Sequence, residues 1–177
     1  MIYTFETELI EGIIKKRNST YTVSVELYGD VYSCYYPKKE KRKLKEVPCL
    51  LSVRHTLERR TPFSVEAIFE EGQWVCVQES TYHSVTKELV HESNIEINNQ
   101  MDNAHFIQHI KECLSSNRIL TFVDYYPYRK RREFNGNESY WVEEAIDQGM
   151  KFIQIQLQVT KTGIELVEMK DITNQYL

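Results

Sequence analysis

The sequence predicts an α+β protein in which a run of short strands is followed by a mixed region of helices and strands. Up to about residue 78, apolar residues recur with a period of two, which is typical of β-strands. Beyond residue 79 the spacing becomes helical, and further strand-like runs follow. With 177 residues, 41% of them hydrophobic and 27% charged, the chain has enough apolar material for a packed core.

The first region contains six strand-like runs with short turns between them. A tight turn at Gly29 and a second at Gly72 each separate two runs, which predicts two hairpins. Because a region of about 70 residues built this way has the size of a small antiparallel barrel, we expect an OB-like β-barrel over residues 1–78. The runs are Leu9–Lys16, Tyr21–Leu27, Val31–Tyr36, Cys49–Arg54, Phe63–Phe69 and Trp74–Gln78.

The second region, residues 79–177, is predicted to combine helices and strands. Helices are expected over Ser80–Glu92, from Asp102 or Asn103 to Leu114, and over Ser139–Gln148. Strands are expected over 118–124, Lys151–Val159 and Ile164–Met169. Because a strand–helix–strand unit normally forms a right-handed crossover, we expect strands 118–124 and 151–159 to be parallel.

The composition argues against several classes of protein. No apolar run approaches the roughly 18 residues that span a bilayer, and the acidic N-terminus does not look like a secretory leader. The four cysteines, Cys34, Cys49, Cys76 and Cys113, are too far apart for a disulfide scaffold or a zinc ribbon. We therefore expect a cytoplasmic protein with reduced thiols and no contact with membranes.

The charge is unevenly distributed along the chain. Residues 1–65 hold 12 lysines and arginines against 8 aspartates and glutamates, whereas residues 66–177 hold 10 against 18. A basic first third on an acidic remainder indicates an anionic partner such as nucleic acid for one face. The simpler interpretation is a soluble surface with uneven charge.

Basic residues and tyrosines are interleaved in the predicted barrel. OB-like barrels bind single strands with cations along a groove and aromatic rings stacked on bases, so we predict a nucleic-acid partner. The alternative is that these residues form solvated loops and strand faces, with half of the tyrosines in the core. The predicted contact residues are Lys15, Lys16, Arg17, Tyr36, Lys38, Lys39, Lys41, Arg42, Lys43, Arg54, Arg59 and Arg60. The neighbouring tyrosines are Tyr21, Tyr28, Tyr32 and Tyr35.

An ordered series of segments resembles the sugar fermentation stimulation protein A (SfsA) family. The matching segments are Glu11–Arg17, Arg59–Ile68, Gln73–Gln78 with the helix Tyr82–Val90, and Glu143–Lys151 with the hairpin that follows it. The resemblance implies an N-terminal OB-like barrel, a C-terminal α/β domain of restriction-endonuclease type, and nucleic-acid binding.

The family's nuclease motifs are missing from this chain. Members carry an Arg-x-Asp-Phe segment and a Glu-Val-Lys segment, whose carboxylates hold a divalent cation. Here Ile97 is followed almost directly by a helix over 104–114 that resembles the one after the family's active-site strands. The resemblance therefore implies a shortened, catalytically incomplete domain over residues 79–177, with no catalytic residues and no metal.

Two other functions stay open. A metal site rebuilt around Glu168, with Lys170 on the same face of a strand, would make the chain a divalent-metal-dependent nuclease. Alternatively, the acidic second region binds another protein or forms a homodimer that covers an exposed sheet edge. His105 and His109 have metal-ligand spacing but lack a third ligand, and the chain has no glycine-rich phosphate loop, so no cofactor is expected.

Overall fold

The computed structural model describes residues 1–38, 42–54, 60–93, 100–116, 120–123 and 152–171. Within these ranges the chain forms the strands β1 (Tyr3–Thr4), β2 (Ile10–Ser19), β3 (Thr22–Leu27), β4 (Asp30–Tyr35), β5 (Val47–Val53), β6 (Phe63–Glu70), β7 (Gln73–Cys76), β8 (Leu120–Val123), β9 (Phe152–Val159) and β10 (Gly163–Asp171). The helices are α1 (Glu79–Ser93) and α2 (Gln100–Ser116). The helix predicted over Ser139–Gln148 lies outside the described residues.

Strands β2 to β6 close into a five-stranded barrel. They are hydrogen-bonded in the order β4-β3-β2-β5-β6, and β6 returns to β4, where Cys34 pairs with Phe63. Because β5 lies beside β2 after the meander β2-β3-β4, the arrangement is a Greek key, and a five-stranded Greek-key barrel is the OB architecture. The predicted barrel is confirmed, although its closing pair, β4 with β6, is parallel.

The two predicted hairpins are also present. Tyr28 and Gly29 have φ values of 51° and 85° at the turn between β3 and β4. Glu71 and Gly72 have φ values of 51° and 81° at the turn between β6 and β7. Two successive residues with positive φ match the twist of a two-residue hairpin, which explains why glycine stands at the second position of each turn.

The interior of the barrel is filled by alternate residues of its strands. In β3, for example, Val23, Val25 and Leu27 are buried, while the residues between them are partly exposed. This alternation is the period-two pattern from which the strands were predicted. Other residues of the same core include Ile14, Cys34, Tyr36, Leu44, Cys49, Leu51, Val65, Ile68, Val75 and Val77.

Strand β7 extends the first sheet beside β6. A second, antiparallel sheet contains four strands in the order β1-β10-β9-β8. The prediction that strands 118–124 and 151–159 are parallel is wrong, because Leu120 pairs with Ile155 and Val123 with Phe152 in antiparallel register. The end of β8 therefore lies beside the start of β9. The chain therefore leaves β8 and enters β9 at the same end of the sheet, whereas parallel strands would require a crossover to the opposite end.

A second hydrophobic core joins this sheet and both helices to the outside of the barrel. Leu50, Ala67 and Cys76 point away from the barrel interior and pack into it. The other strands and helices contribute Phe5, Leu9, Tyr82, Val85, Leu89, Phe106, Ile110, Cys113, Leu114, Ile155, Leu157, Val159 and Ile164. Residues from both sides of position 78 therefore share one core, and Tyr3 pairs with Ile164 in the second sheet. The division of the chain after residue 78 stays a prediction.

The four cysteines are all buried and unpaired. Cys49 and Cys76 lie in strands and pack in the two cores. Burial raises the pKa of the Cys34, Cys49 and Cys76 thiols to about 12 and that of Cys113 to about 11. These thiols therefore act as small apolar side chains and not as nucleophiles.

A β-bulge places a carboxyl group close to the shared core. Leu50 pairs with Ala67 and Leu51 with Val65, so Glu66 is the extra residue of β6. The Ser52 hydroxyl donates a hydrogen bond to Glu66 Oε1 at 2.6 Å. Burial raises the pKa of Glu66, and the hydrogen bond from Ser52 opposes this shift in part.

We expect Gly12→Ala to destabilise the barrel. A Cβ at Gly12 would lie 2.7 Å from Val25 Cγ1 and 3.1 Å from the Glu26 carbonyl oxygen. Overpacking of this kind costs about 1–3 kcal/mol. Urea unfolding should show this loss, whereas Ser33→Ala, on the exposed side of β4, should leave the midpoint unchanged. Equal stability of Gly12→Ala and the native chain would contradict the tight packing of β2 against β3.

We expect Glu66→Gln to stabilise the protein at high pH only. The raised pKa means that the native state binds more protons than the unfolded chain, so ionised Glu66 lowers stability as the pH rises through its folded-state pKa. Glutamine keeps an acceptor for Ser52 and cannot ionise. In urea unfolding the advantage should be present at about pH 8 and vanish below about pH 4, where glutamates of the unfolded chain are protonated.

The matched control for this comparison is Glu88→Gln, since Glu88 is exposed on α1. It should give the same difference from the native chain at both pH values. If the stability of Glu66→Gln relative to the native chain did not rise between about pH 4 and about pH 8, the raised pKa of Glu66 would be contradicted.

Candidate nucleic-acid interface

Two tyrosines and an arginine stack on one another on the outside of the barrel. The ring centroids of Tyr21 and Tyr35 are 6.3 Å apart, with 27° between the ring planes. The Cζ atom of Arg54 lies 4.7 Å from the centroid of the Tyr35 ring. Tyr21 is 48% exposed at the turn between β2 and β3, so the outer face of the stack is open to solvent. An exposed aromatic face beside a guanidinium group is suited to stacking on a nucleobase next to a phosphate.

The alternation of β4 decides which tyrosine faces solvent. Cys34 and Tyr36 are completely buried in the barrel core, so Tyr35 between them points outward. The buried Tyr36 ring has the Arg17 guanidinium 4.9 Å from its centroid and is not open to a base. The stacking role that the sequence predicted for Tyr36 is better suited to Tyr21 and Tyr35. In the sequence, the apolar Cys34 indicates which face of β4 is buried, and the alternation of the strand then places Tyr35 on the opposite face.

Hydrogen bonds hold the side chains of Arg54 and Arg17 in place. Arg54 Nη1 donates to Thr61 Oγ1 at 2.9 Å, and its backbone N–H donates to the Pro62 carbonyl at 2.8 Å. Arg17 Nη1 donates to the Thr20 carbonyl at 2.9 Å, next to Tyr21. We call the surface formed by Tyr21, Tyr35 and Arg54 the tyrosine–arginine patch. Its parts come from the β2–β3 turn, the end of β4 and the chain after β5.

Two of the predicted basic residues have their charge offset by nearby carboxylates. Lys15 Nζ lies 3.0 Å from Glu46 and 3.1 Å from Glu26, and these contacts raise the pKa of Lys15, the Glu46 hydrogen bond most. Arg42 Nη1 lies 3.0 Å from Glu70. A phosphate that approaches either cation also meets the paired carboxylate. Lys15 and Arg42 are therefore weaker candidates for phosphate contacts than the sequence suggests.

The other predicted basic residues are distributed over the barrel surface. Lys16, Lys43 and Arg60 are exposed, and Arg60 lies in the same connection as Thr61 and Pro62. Lys38 Nζ lies 5.4 Å from the centroid of the Tyr82 ring, on the side of the barrel that faces α1. Lys39, Lys41 and Arg59 lie outside the described residues. Arg54 is thus the predicted cation that contacts an exposed tyrosine, and Arg60 lies next to Thr61, which accepts a hydrogen bond from Arg54.

The possible metal site has less support. Glu168 Oε1 and Lys170 Nζ are 3.4 Å apart, which confirms that they share one face of β10. In the part of the chain that the structure describes, no group of three or more His, Cys, Asp or Glu side chains is arranged to hold a metal ion.

No helix in the described ranges is long and apolar enough to cross a membrane.

Comparison with known proteins gives one informative relative. No family model matches the chain. Over 96 residues, or 52% of its length, the chain is 33% identical to the sugar fermentation stimulation protein homolog of Natranaerobius thermophilus. The matched part covers 40% of that relative, so the chain spans less than half of the relative's length. Over about half of its length the chain is thus SfsA-like, and the resemblance predicted from its sequence motifs is confirmed.

Proposed function

We propose that this chain is a non-catalytic nucleic-acid-binding protein that holds a single strand on the tyrosine–arginine patch. The observation that carries the proposal is the exposed stack of Tyr21, Tyr35 and Arg54 on a five-stranded barrel. Five-stranded Greek-key barrels bind single strands with aromatic side chains and cations arranged in this way. The similarity to a sugar fermentation stimulation protein homolog supports the proposal, because the resemblance to that family implies nucleic-acid binding.

In this proposal the tyrosines contact bases and the arginines contact phosphates. A base stacks on the open face of Tyr21, and Arg54, together with Arg60 from the connection that holds it, contacts the adjoining phosphates. Because every base has a π-face, binding tolerates many sequences. Because phosphate contacts release counterions, affinity falls steeply as the salt concentration rises.

We infer that residues 79–177 are a shortened relative of the family's restriction-endonuclease-like domain and carry no nuclease site. The missing Arg-x-Asp-Phe and Glu-Val-Lys segments support this inference. The proposed partner and the widely spaced cysteines are consistent with a protein of the cytoplasm.

We expect Tyr21→Ala to weaken binding of a single-stranded oligonucleotide by about tenfold, since one aromatic platform contributes about 1–3 kcal/mol per stacked base. Fluorescence anisotropy at low salt measures the change. The matched control is Tyr28→Ala, because Tyr28 is 90% exposed at the β3–β4 turn and makes no contact with the patch. Equal losses in the two variants would contradict a specific stacking site.

We expect the double variant Arg54→Gln and Arg60→Gln to reduce the salt dependence of binding. Each lost phosphate contact should lower the slope of log K against log salt by about 0.7 for a single strand. Arg42→Gln should change this slope little, because Arg42 is paired with Glu70. A larger effect at Arg42 would move the binding surface to the connection between β4 and β5.

The same titrations should include Mg²⁺ or Mn²⁺, with the products separated on a gel. Binding without cleavage supports the proposal. Metal-dependent cleavage would contradict a non-catalytic role and favour the rebuilt nuclease, which Glu168→Ala should then inactivate. Absence of binding at low salt would contradict nucleic-acid binding. The remaining hypothesis would then be that the chain binds another protein or forms a homodimer, and the oligomeric state would be the next measurement.

A further inference from the structure

A cleft of about 410 Å³ lies between the β6–β7 hairpin and the second sheet. Phe69 and Trp74 are cross-strand partners in the hairpin, with ring centroids 5.1 Å apart and ring planes at 70°. The residues that line the cleft include Phe69, Trp74, Val167, Gln73, Gln156 and Gln158. The volume falls in the range of small-molecule sites.

The lining combines aromatic rings with carboxamides and contains no charged side chain. Gln156 and Gln158 alternate with the buried Leu157 along β9, so both carboxamides lie on the side of the sheet away from the helices. Among the described residues, Gln73, Gln156 and Gln158 make no side-chain hydrogen bond with protein. Each carboxamide presents both a donor and an acceptor. The cleft is therefore complementary to a flat, uncharged ring with donors and acceptors on its edge.

Acidic residues flank the cleft on β10. Glu165 pairs with Gln158 and Glu168 with Gln156, and side chains of paired residues lie on the same face of a sheet. Lys170 offsets the charge of Glu168 at 3.4 Å, so the negative charge that opposes a phosphate group near the glutamines is mainly that of Glu165. The tyrosine–arginine patch, in contrast, adjoins the other end of β6, where Ser64 pairs with Tyr35. Five residues of extended strand separate Ser64 from Phe69, a distance on the order of 17 Å.

We propose that this cleft binds the base of a nucleoside, with the ring against Trp74 and the base edge hydrogen-bonded to Gln156 and Gln158. The site is separate from the tyrosine–arginine patch and does not require the function proposed for it. The acidic rim favours an uncharged nucleoside over its phosphorylated form. A base from a bound strand has the same chemistry, so the test must separate the two sources.

The test is a fluorescence titration of Trp74 with adenosine, guanosine, cytidine and uridine in turn. The chain has two tryptophans, and Trp141→Phe leaves Trp74 as the reporter. Saturable quenching by at least one nucleoside is expected. If Trp141→Phe does not fold, calorimetry on the unsubstituted chain measures the dissociation constant instead. No binding by either method up to about 1 mM would overturn the proposal.

Two glutamine variants show whether the carboxamides recognise the base. Gln158→Leu should weaken binding about tenfold through lost hydrogen bonds. Gln154→Leu is the matched control, since Gln154 lies on the same face of β9 but does not line the cleft. Equal losses in both variants would overturn the assignment. The nucleoside 5′-monophosphate should bind at least several-fold more weakly than the nucleoside, and equal affinity would contradict the acidic-rim argument.

A final comparison separates this site from the tyrosine–arginine patch. Gln158→Leu should keep its affinity for a single-stranded oligonucleotide, whereas Arg54→Gln should keep its affinity for the nucleoside. If an oligonucleotide displaces the nucleoside and Arg54→Gln abolishes that competition, the natural occupant is a base of the bound strand. If the oligonucleotide does not displace the nucleoside, the occupant is the free molecule. Loss of both affinities in both variants would overturn the claim of two sites.

Discussion

The burial of both faces of β5 and β6 is the constraint on which the rest of the structure depends. Leu51 faces the barrel interior, and the adjacent Leu50 faces the core shared with the helices and the second sheet, yet both are completely buried. Between the ends of β5 and β6 this side of the barrel is therefore closed to a ligand, and it is open only at the β6–β7 hairpin, where Phe69 and Trp74 line a cleft. The outer faces of β3 and β4, which lie away from the shared core, are left to solvent, and that is where Tyr35 and the neighbouring Tyr21 stack.

The local elements were predictable because their determinants lie within a few residues. Apolar alternation identified the barrel strands, and the two glycine turns identified the hairpins. The direction of β9 was not predictable in this way, since the same strand–helix–strand pattern is compatible with either direction until the pairing partner is known. Strand β1 was missed because its two residues are too few to show any period.

The binding surface was predictable in composition but not in arrangement. The sequence shows that arginines and tyrosines are interleaved, and the structure places Arg54 on Tyr35 although the two are distant along the chain. It also pairs Lys15 with Glu46 and Arg42 with Glu70, contacts that no local pattern reveals. As a result, the effective positive charge of the barrel is smaller than its count of basic residues suggests.

The pairing of β1 with β10 has a consequence for how the protein is made. Tyr3 finds its partner, Ile164, only after the chain has been synthesised past residue 164. The barrel strands are synthesised long before that, while the surface formed by Leu50 and Ala67 still lacks the covering that later residues supply. A nascent barrel therefore presents an apolar face throughout much of translation, which is the kind of surface that molecular chaperones bind. Contacts of such long sequence separation also form late, so the second sheet is completed after the barrel strands have been synthesised.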